Sequence, residues 1–304
     1  MSGSSGLGRV RVLARTKLTL SLRVVGRRSD GFHLLDAVMA SAADPHDTLE
    51  VCRVEPSADL RLKLEGATGG AVPGDASNLA WRAAAALLAR ADAPSTGLSL
   101  RLVKRIPVMA GLGGGSADAA AALVAVRSVL GLPMDDRQLA DVGAQIGSDV
   151  PFCLSGGLAR VGGRGELVES APFPGPAPVL VVVPRLRLST AEVYAAWDEL
   201  GGPRDEREPA APPWAEALPI LAEPLVNDLE PAAFAVEPRL RRFRADLEAL
   251  AQARVGLAGS GPSFAIPIAS SALAVELAEQ IRTALGAAAY PSVLVESGVE
   301  AARP

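Results

Sequence analysis

Histidine, cysteine and aromatic residues are all scarce in this 304-residue chain, which has two histidines, two cysteines, three tryptophans, two tyrosines and six phenylalanines. His33, His46, Cys52 and Cys153 fall at no metal-ligand spacing, which excludes a structural zinc site on ligand count. The cysteines stand 101 positions apart, no disulfide framework, so reduced thiols in a cytoplasmic protein are expected. A basic excess is also missing: 30 lysines and arginines face 34 aspartates and glutamates, a net charge of −4. That balance argues against a nucleic-acid polymer or an anionic membrane as the main partner. So few aromatics leave little for base-stacking platforms. No apolar run approaches the ~20 residues that cross a bilayer. The opening MSGSSGLGRVRVLARTKL lacks the apolar stretch of a signal peptide. What is present is 49% apolar residues, enough for a sizeable core, in a length that suits two domains or one large one.

Leu18, Leu20, Leu22 and Val24 alternate with Thr19, Ser21, Arg23 and Val25, the period of a half-buried strand. Lys17 precedes it, on the polar face with Thr19 and Ser21, and a turn-rich segment occupies 26–33. Further strands are expected at 48–53, 60–64 and 98–103, and helices at 78–90 (capped by Ser77 or Asn78), 117–130 and 136–146. Gly147 suits the position just past that last helix and Pro151 blocks its continuation, which leaves Asp149 on a short exit loop. The proline-rich stretch 171–178 reads as a linker. Beyond it follow a strand at 179–183, a helix at 190–200, a polar loop at 201–213 and further helices. A glycine loop at 256–261 then leads to a strand at 263–268, a helix at 272–285 and a strand at 292–296. Strands and helices interleave irregularly, the pattern of an α+β protein.

The most informative segment runs Pro107, Val108, Met109, Ala110, Gly111, Leu112, Gly113, Gly114, Gly115, Ser116 and straight into a helix at Ala117. Glycines before a helix let backbone N–H groups close on an anion, and the helix N-terminus adds partial positive charge. A Walker A loop would need lysine after its glycine, and a Rossmann fingerprint would need glycine where Ser116 stands. The plain alternative is a flexible turn that caps the helix through Ser116. Three consecutive glycines cost conformational entropy that a simple turn need not spend.

The stretch Pro107-x-x-Ala110-Gly111-Leu112-Gly113-Gly114-Gly115-Ser116-Ala117-Asp118-Ala119-Ala120 resembles the phosphate loop of the galactokinase, homoserine kinase, mevalonate kinase and phosphomevalonate kinase (GHMP) superfamily. Within it, the chain is most similar to the 4-diphosphocytidyl-2-C-methyl-D-erythritol kinases. The supporting stretches are Gly26-Arg27-Arg28-x-Asp30-Gly31-Phe32-His33, Gly147-Ser148-Asp149-Val150-Pro151-Phe152, Asn227-Asp228-Leu229-Glu230 and Gly259-Ser260-Gly261-Pro262-Ser263. Together they span about residues 10 to 298, in the family's order.

The resemblance implies a two-domain fold: a ribosomal-protein-S5-domain-2-like N-terminal domain at 1–172 and a ferredoxin-like C-terminal domain at 173–304. It implies ATP as co-substrate on the 107–117 loop, and Mg²⁺ with Ser116 as a ligand. Lys17 would be catalytic beside the transferred phosphate, and Asp149 the base for the acceptor hydroxyl. Phe32 and His33 would read a cytosine ring, with Tyr194 as a second aromatic against the base. Gly259–Gly261 would pack beneath the phosphate loop. On the residues alone each has a bland reading: a solvated lysine, a loop aspartate on backbone amides, a helix cap at Ser116, core packing for His33 and Tyr194. Asp118 reads as helix-end electrostatics, Asn227 and Asp228 as helix caps, and His46 as solvated. Arg15, Thr16 and Thr19 depart from the family pattern, and Thr19 puts one substrate contact in doubt. The rival functions are another kinase of the superfamily, mevalonate- or homoserine-type, and a binding or regulatory protein without turnover.

Overall fold

The computed structural model describes residues 8–55, 59–66, 68, 72–91, 97–173, 175–202 and 226–301. Most of the expected polar loop at 201–213 lies outside them. Two long antiparallel strands, β1 (Arg9–Arg27) and β2 (His33–Arg53), form the spine, paired from Arg9↔Cys52 to Arg27↔His33. The alternation seen from Leu18 onward marks only part of β1, and β2 begins directly at the end of the turn-rich segment. Register shifts at Arg15/Thr16, Thr19/Ser21 and Val24/Gly26 interrupt the ladder. Such irregularities re-aim side chains, and Lys17 and Thr19 lie between the first two.

The N-terminal half continues with β3 (Arg61–Glu65), α1 (Leu79–Arg90), β4 (Leu98–Val103), α2 (Gly114–Leu130), α3 (Asp136–Ile146), α4 (Val150–Ser155), β5 (Leu158–Gly163) and β6 (Leu167–Ala171). Asn78 caps α1 by accepting from the Ala80 N–H, and Asp135 and Gln138 form a reciprocal capping box on α3. The alanines of α2 let the helix lie close on the spine: Ala117, Ala119, Ala120, Ala121, Ala122 and Ala125 are fully buried with Leu18, Leu123 and Val126.

The 171–178 segment runs from the end of β6 to the start of the second half, which holds β7 (Pro178–Val183), α5 (Thr190–Glu199), α6 (Glu230–Val236), α7 (Pro238–Ala251), β8 (Gly256–Leu257), β9 (Phe264–Pro267), α8 (Ser271–Leu285), β10 (Ala288–Val295) and β11 (Val299–Ala301). β10 pairs with β7 along its length and reaches β2 at Leu294↔Ala42 and Val295↔Ser41. Among the described residues the eleven strands therefore form one continuous sheet, and β11 returns to pair with β1. The class is α+β, as expected.

Several local expectations change. Helix α3 ends at Ile146, as expected, and Pro151 stands in the first turn of a further short helix, α4, where the N–H it lacks would be unpaired anyway. Gly147 directly follows α3, in extended backbone (φ −170°), and Asp149 lies in the short turn that leaves α3, as expected, where it is also the N-cap residue of α4. Ser116 caps nothing: α2 begins at Gly114, and its N-cap residue is the left-handed Gly113. Asn227 and Asp228 are not N-caps, since Leu229 holds that place on α6. Lys17 is buried, not solvated on a polar face. His46 is half-buried, with Nδ1 against the Ala43 carbonyl and the Asp44 carboxylate.

Candidate active site

The glycine loop at 107–117 is held by the strand that precedes it in sequence by almost a hundred residues. The Lys17 N–H donates to the Leu112 carbonyl at 3.2 Å, and the aliphatic stem of Lys17 lies against Gly113. Gly113 has φ +67°, and a Cβ there would come within 2.5 Å of Lys17 Cγ. Gly111 has φ +75°, and a Cβ there would meet the Gly261 and Ala258 carbonyl oxygens at 2.6 and 2.8 Å. Both positions therefore need glycine for conformation and for space. The second contact also places the 258–261 loop against this glycine loop. Asn227 fixes that neighbouring loop by donating from Nδ2 to the Leu257 and Gly259 carbonyls (2.9 and 2.7 Å), while Asp228 accepts the Val24 N–H.

Lys17 Nζ reaches Asp149 Oδ2 at 3.1 Å and donates to Thr19 Oγ1 at 3.2 Å. The Asp149 side chain makes no capping bond to α4. Its carboxylate is turned to the cavity instead. That cavity, about 660 Å³, is lined by Lys17, Thr19, Gly111, Gly113, Asp149 and Gly259 at one end. At the other end stand Arg27, Phe32, His33, Arg164, Tyr194 and Asp198. The structure thus brings Lys17, Asp149, Phe32, His33 and Tyr194 to one chamber. Of the remaining loop residues, Ala110, Leu112 and Ala117 are buried, Pro107, Val108, Gly114 and Ser116 half-buried, and Met109 and Gly115 exposed.

His33 stacks on Tyr194 (centroids 4.7 Å apart, 26° between planes) and meets the edge of Trp197 at 5.5 Å. Burial pushes the Tyr194 hydroxyl pKa up, so it stays a neutral donor. Phe32 is half exposed, with the Arg164 guanidinium 5.4 Å from its ring centre.

Beneath the loop lies a buried cluster. Lys104 Nζ donates to Asp118 Oδ2 at 2.6 Å and to Asp47 Oδ2, and all three side chains are nearly inaccessible. Asp118 is thus an ion-pair partner pinning α2 to β2, not a free carboxylate at a helix end. Sequence reading missed Lys104 altogether, because a lysine after a strand carries no sign of burial. It also missed Asp198 and Arg164. Asp198 could have been found from its place one turn beyond Tyr194 on the same face of α5.

No group of three or more His, Cys, Asp or Glu side chains able to hold a metal occurs among the described residues. Ser116 Oγ makes no hydrogen bond among them and lies near Gly147. A lone free hydroxyl suits Mg²⁺, which commonly takes few protein ligands and binds mainly through substrate phosphates and water.

The family model described as GHMP kinases N terminal domain matches residues 78–157, which include the phosphate loop and Asp149. The 4-diphosphocytidyl-2-C-methyl-D-erythritol kinase of Moorella thermoacetica is 39% identical over 286 residues, covering 92% of this chain and 95% of that protein. The chain belongs to the 4-diphosphocytidyl-2-C-methyl-D-erythritol kinase family. The Mycolicibacterium gilvum member of this kinase family is 37% identical over 307 residues, covering 97% of this chain and 92% of its own. A crystal structure of a 4-(cytidine 5'-diphospho)-2C-methyl-D-erythritol kinase superposes with a TM-score of 0.77 at 35% identity, covering 93% of this chain and 98% of that one. A homoserine kinase from Cytophaga hutchinsonii reaches a TM-score of 0.74 at 18% identity over 99% of this chain and all of its own, a likeness of fold alone. The chain is accordingly an ATP-dependent kinase of the GHMP fold.

Proposed function

We propose that the chain transfers the γ-phosphate of ATP to the 2-hydroxyl of 4-diphosphocytidyl-2-C-methyl-D-erythritol, in the non-mevalonate route to isoprenoid precursors. The observation that carries this reading is the Lys17–Asp149 pair, 3.1 Å apart, in the same cavity as Phe32, His33 and Tyr194. Asp149 takes the proton of the acceptor hydroxyl as its oxygen attacks the γ-phosphorus in line. The bond to the β,γ-bridging oxygen breaks, and ADP leaves. Lys17 lies where negative charge builds on the transferred group. The loop from Pro107 to Ala117 holds the triphosphate through backbone N–H groups, and Ser116 would contribute its hydroxyl to Mg²⁺. When bound, the metal neutralises phosphate charge.

The pyrimidine end of the acceptor fits the aromatic end of the chamber, where Phe32, His33 and Tyr194 offer ring faces and polar edges. Thr19 takes a hydrogen bond from Lys17 and so orients the catalytic ammonium; this gives the departure from the family pattern a working role. We also read residues 1–172 and 173–304 as the two halves that face each other across the cavity. No helix among the described residues is long and apolar enough to cross a membrane, and we place the activity in the cytoplasm.

The test is ADP release from Mg-ATP with the cytidylylated alcohol, mevalonate or homoserine as acceptor. Turnover with the cytidylylated alcohol alone supports the assignment. Turnover only with mevalonate or homoserine overturns it, and ligand binding without turnover on any acceptor would mark a regulator.

A further inference from the structure

One carboxylate in the chamber has no part in phosphoryl transfer. Asp198, near the end of α5, spreads its two oxygens between two residues of the β1–β2 hairpin. Oδ1 lies 2.8 Å from His33 Nε2, and Oδ2 lies 3.1 Å from Arg27 Nη1. Arg27 Nε in turn donates to the Gly31 carbonyl at 3.4 Å, in the turn that carries Phe32 and His33. The hairpin is thus tied to α5 through one side chain. His33 itself is clamped on three sides: its face by Tyr194, its edge by Trp197 and its Nε2 by Asp198.

This arrangement has a chemical consequence. A carboxylate oxygen can only accept, so the bond at 2.8 Å requires the proton on Nε2. Neutral imidazole carries one N–H, which leaves Nδ1 with a lone pair. Nδ1 has no hydrogen-bond partner among the described residues, and His33 lines the cavity. Arg27 occupies the other oxygen of Asp198 and balances its charge. The free polar atom of the ring is then an acceptor.

We propose that Asp198 is a specificity-determining positioning residue: by holding His33 with its proton on Nε2, it aims Nδ1 as an acceptor at the exocyclic amine of a 4-aminopyrimidine. A pyrimidine with an oxo group at that carbon would set an acceptor against an acceptor and be refused. The inference rests on the proposed function for the identity of the base, and it assigns the cytosine-over-uracil choice to a residue on the opposite half of the molecule from His33. A site built around one hydrogen bond rejects the mismatched analogue because a buried polar atom goes unpaired.

The test uses CDP and UDP as probes, so it does not depend on phosphoryl transfer. Calorimetry on the wild type should give a lower Kd for CDP than for UDP. In Asp198→Ala that preference should shrink by about tenfold or more, the scale of one buried polar group left unpaired. Asp198→Ala placed in a His33→Ala background should cause no further loss of preference. In turnover assays with the cytidylylated alcohol, the loss should fall on the acceptor KM and not on the KM for ATP. With two histidines in the chain, ¹H–¹⁵N correlation spectra of the imidazole nitrogens at pH 8 read the tautomer directly in the wild type, even if the variant does not fold. A proton on Nε2 supports the proposal; a proton on Nδ1 overturns it. Equal weakening for CDP and UDP in Asp198→Ala, or an unchanged preference, would also overturn it. Failure of the proposed function has a different signature: the tautomer and the CDP preference hold, but no cytidylylated alcohol is phosphorylated.

Discussion

Replacing Lys104 by methionine tests how the phosphate-loop helix is anchored. The two side chains have similar length and flexibility, so the substitution removes a charge with little change in packing. In the native chain Lys104 is 2% exposed, and its ammonium lies between Asp47 and Asp118. Burial works against that charge, but the Asp118 and Asp47 carboxylates outweigh it and push the Lys104 pKa up. Burial pushes the Asp118 pKa well above the usual carboxylate range, against the pull of Lys104. Without the ammonium, two enclosed carboxylates face each other. Breaking a buried pair in this way costs about 3–5 kcal/mol. At about 2–4 °C per kcal/mol, Tm should fall by about 6–20 °C at pH 8. The pH dependence has a definite sign. A carboxyl whose folded pKa is raised stabilises fully only below its unfolded value, about 3.9. That stability is lost as pH rises through the folded pKa. Removal of Lys104 raises the folded value further, so the deficit at pH 5.5 should be smaller than at pH 8. Thermal unfolding of both proteins at the two pH values in one salt concentration measures this. A Tm within about 2 °C of wild type at pH 8, or a deficit equal at both pH values, would refute the reasoning.

Asp149→Asn keeps the shape of the site but cannot take the hydroxyl proton; kcat should fall by about 10²–10⁴ with the ATP Kd within a few fold, read by turnover and by calorimetry. Gly113→Ala forces a Cβ onto the Lys17 stem at a left-handed position; a loss of about 1–2 kcal/mol in stability from the backbone alone is expected, with a further fall in kcat as Lys17 is displaced. Asn227→Ala frees the Leu257 and Gly259 carbonyls; a stability loss of about 1–3 kcal/mol by denaturant titration and a raised KM for ATP should accompany it. Asp118→Asn removes the carboxyl whose ionisation burial opposes; its Tm relative to wild type should improve as pH rises from 5.5 to 8, and a constant difference would count against the raised pKa.

Much of this architecture was legible because local chemistry and tertiary structure agree. The alternation from Leu18 to Val24, the Asn78 cap and the alanine-rich body of α2 are each decided within a few residues, and only the start of α2, at Gly114 instead of 117, differs. At 111–116 the glycine spacing leaves both an anion site and a plain turn open, and the family resemblance favours the first. What could not be read is whatever depends on the other side of the sheet. Nothing adjacent in sequence shows that Lys104 is enclosed by Asp47 and Asp118, or that β11 returns to β1. Likewise the Asp198 clamp joins α5 to a hairpin 165 residues away. Helix α4 goes unread for a local reason: proline ends one helix and begins another by the same lack of an N–H, so Pro151 marks the break after α3 without showing that a new helix starts there.

Several residues that break local rules gather around the phosphate-loop segment and the cavity. A lysine occupies a buried stretch of β1, where an apolar side chain would be expected. An aspartate at the N-cap of α4 gives up the capping bond that its position offers and points its carboxylate at that lysine. Helix α2 starts from a left-handed glycine with no side-chain cap, although Ser116 lies three residues on. Met109 takes φ +56° at the entrance to the loop, a conformation unusual for any residue but glycine. Each departure forgoes a local stabilisation, and Lys17, Gly113 and Asp149 line the same cavity. Sequences tend to violate their own folding preferences where function requires it. The same logic explains how a chain with a net charge of −4 handles polyanionic substrates. Attraction over the range of a phosphate contact is set by nearby groups, since salt screens the rest within about 8 Å. Lys17, Arg27 and Arg164 all line the chamber, together with the glycine backbone of the loop. The overall acidity argues against a polymer that would sample the whole surface, whereas a small molecule placed in this chamber would meet these cations alongside Asp149 and Asp198.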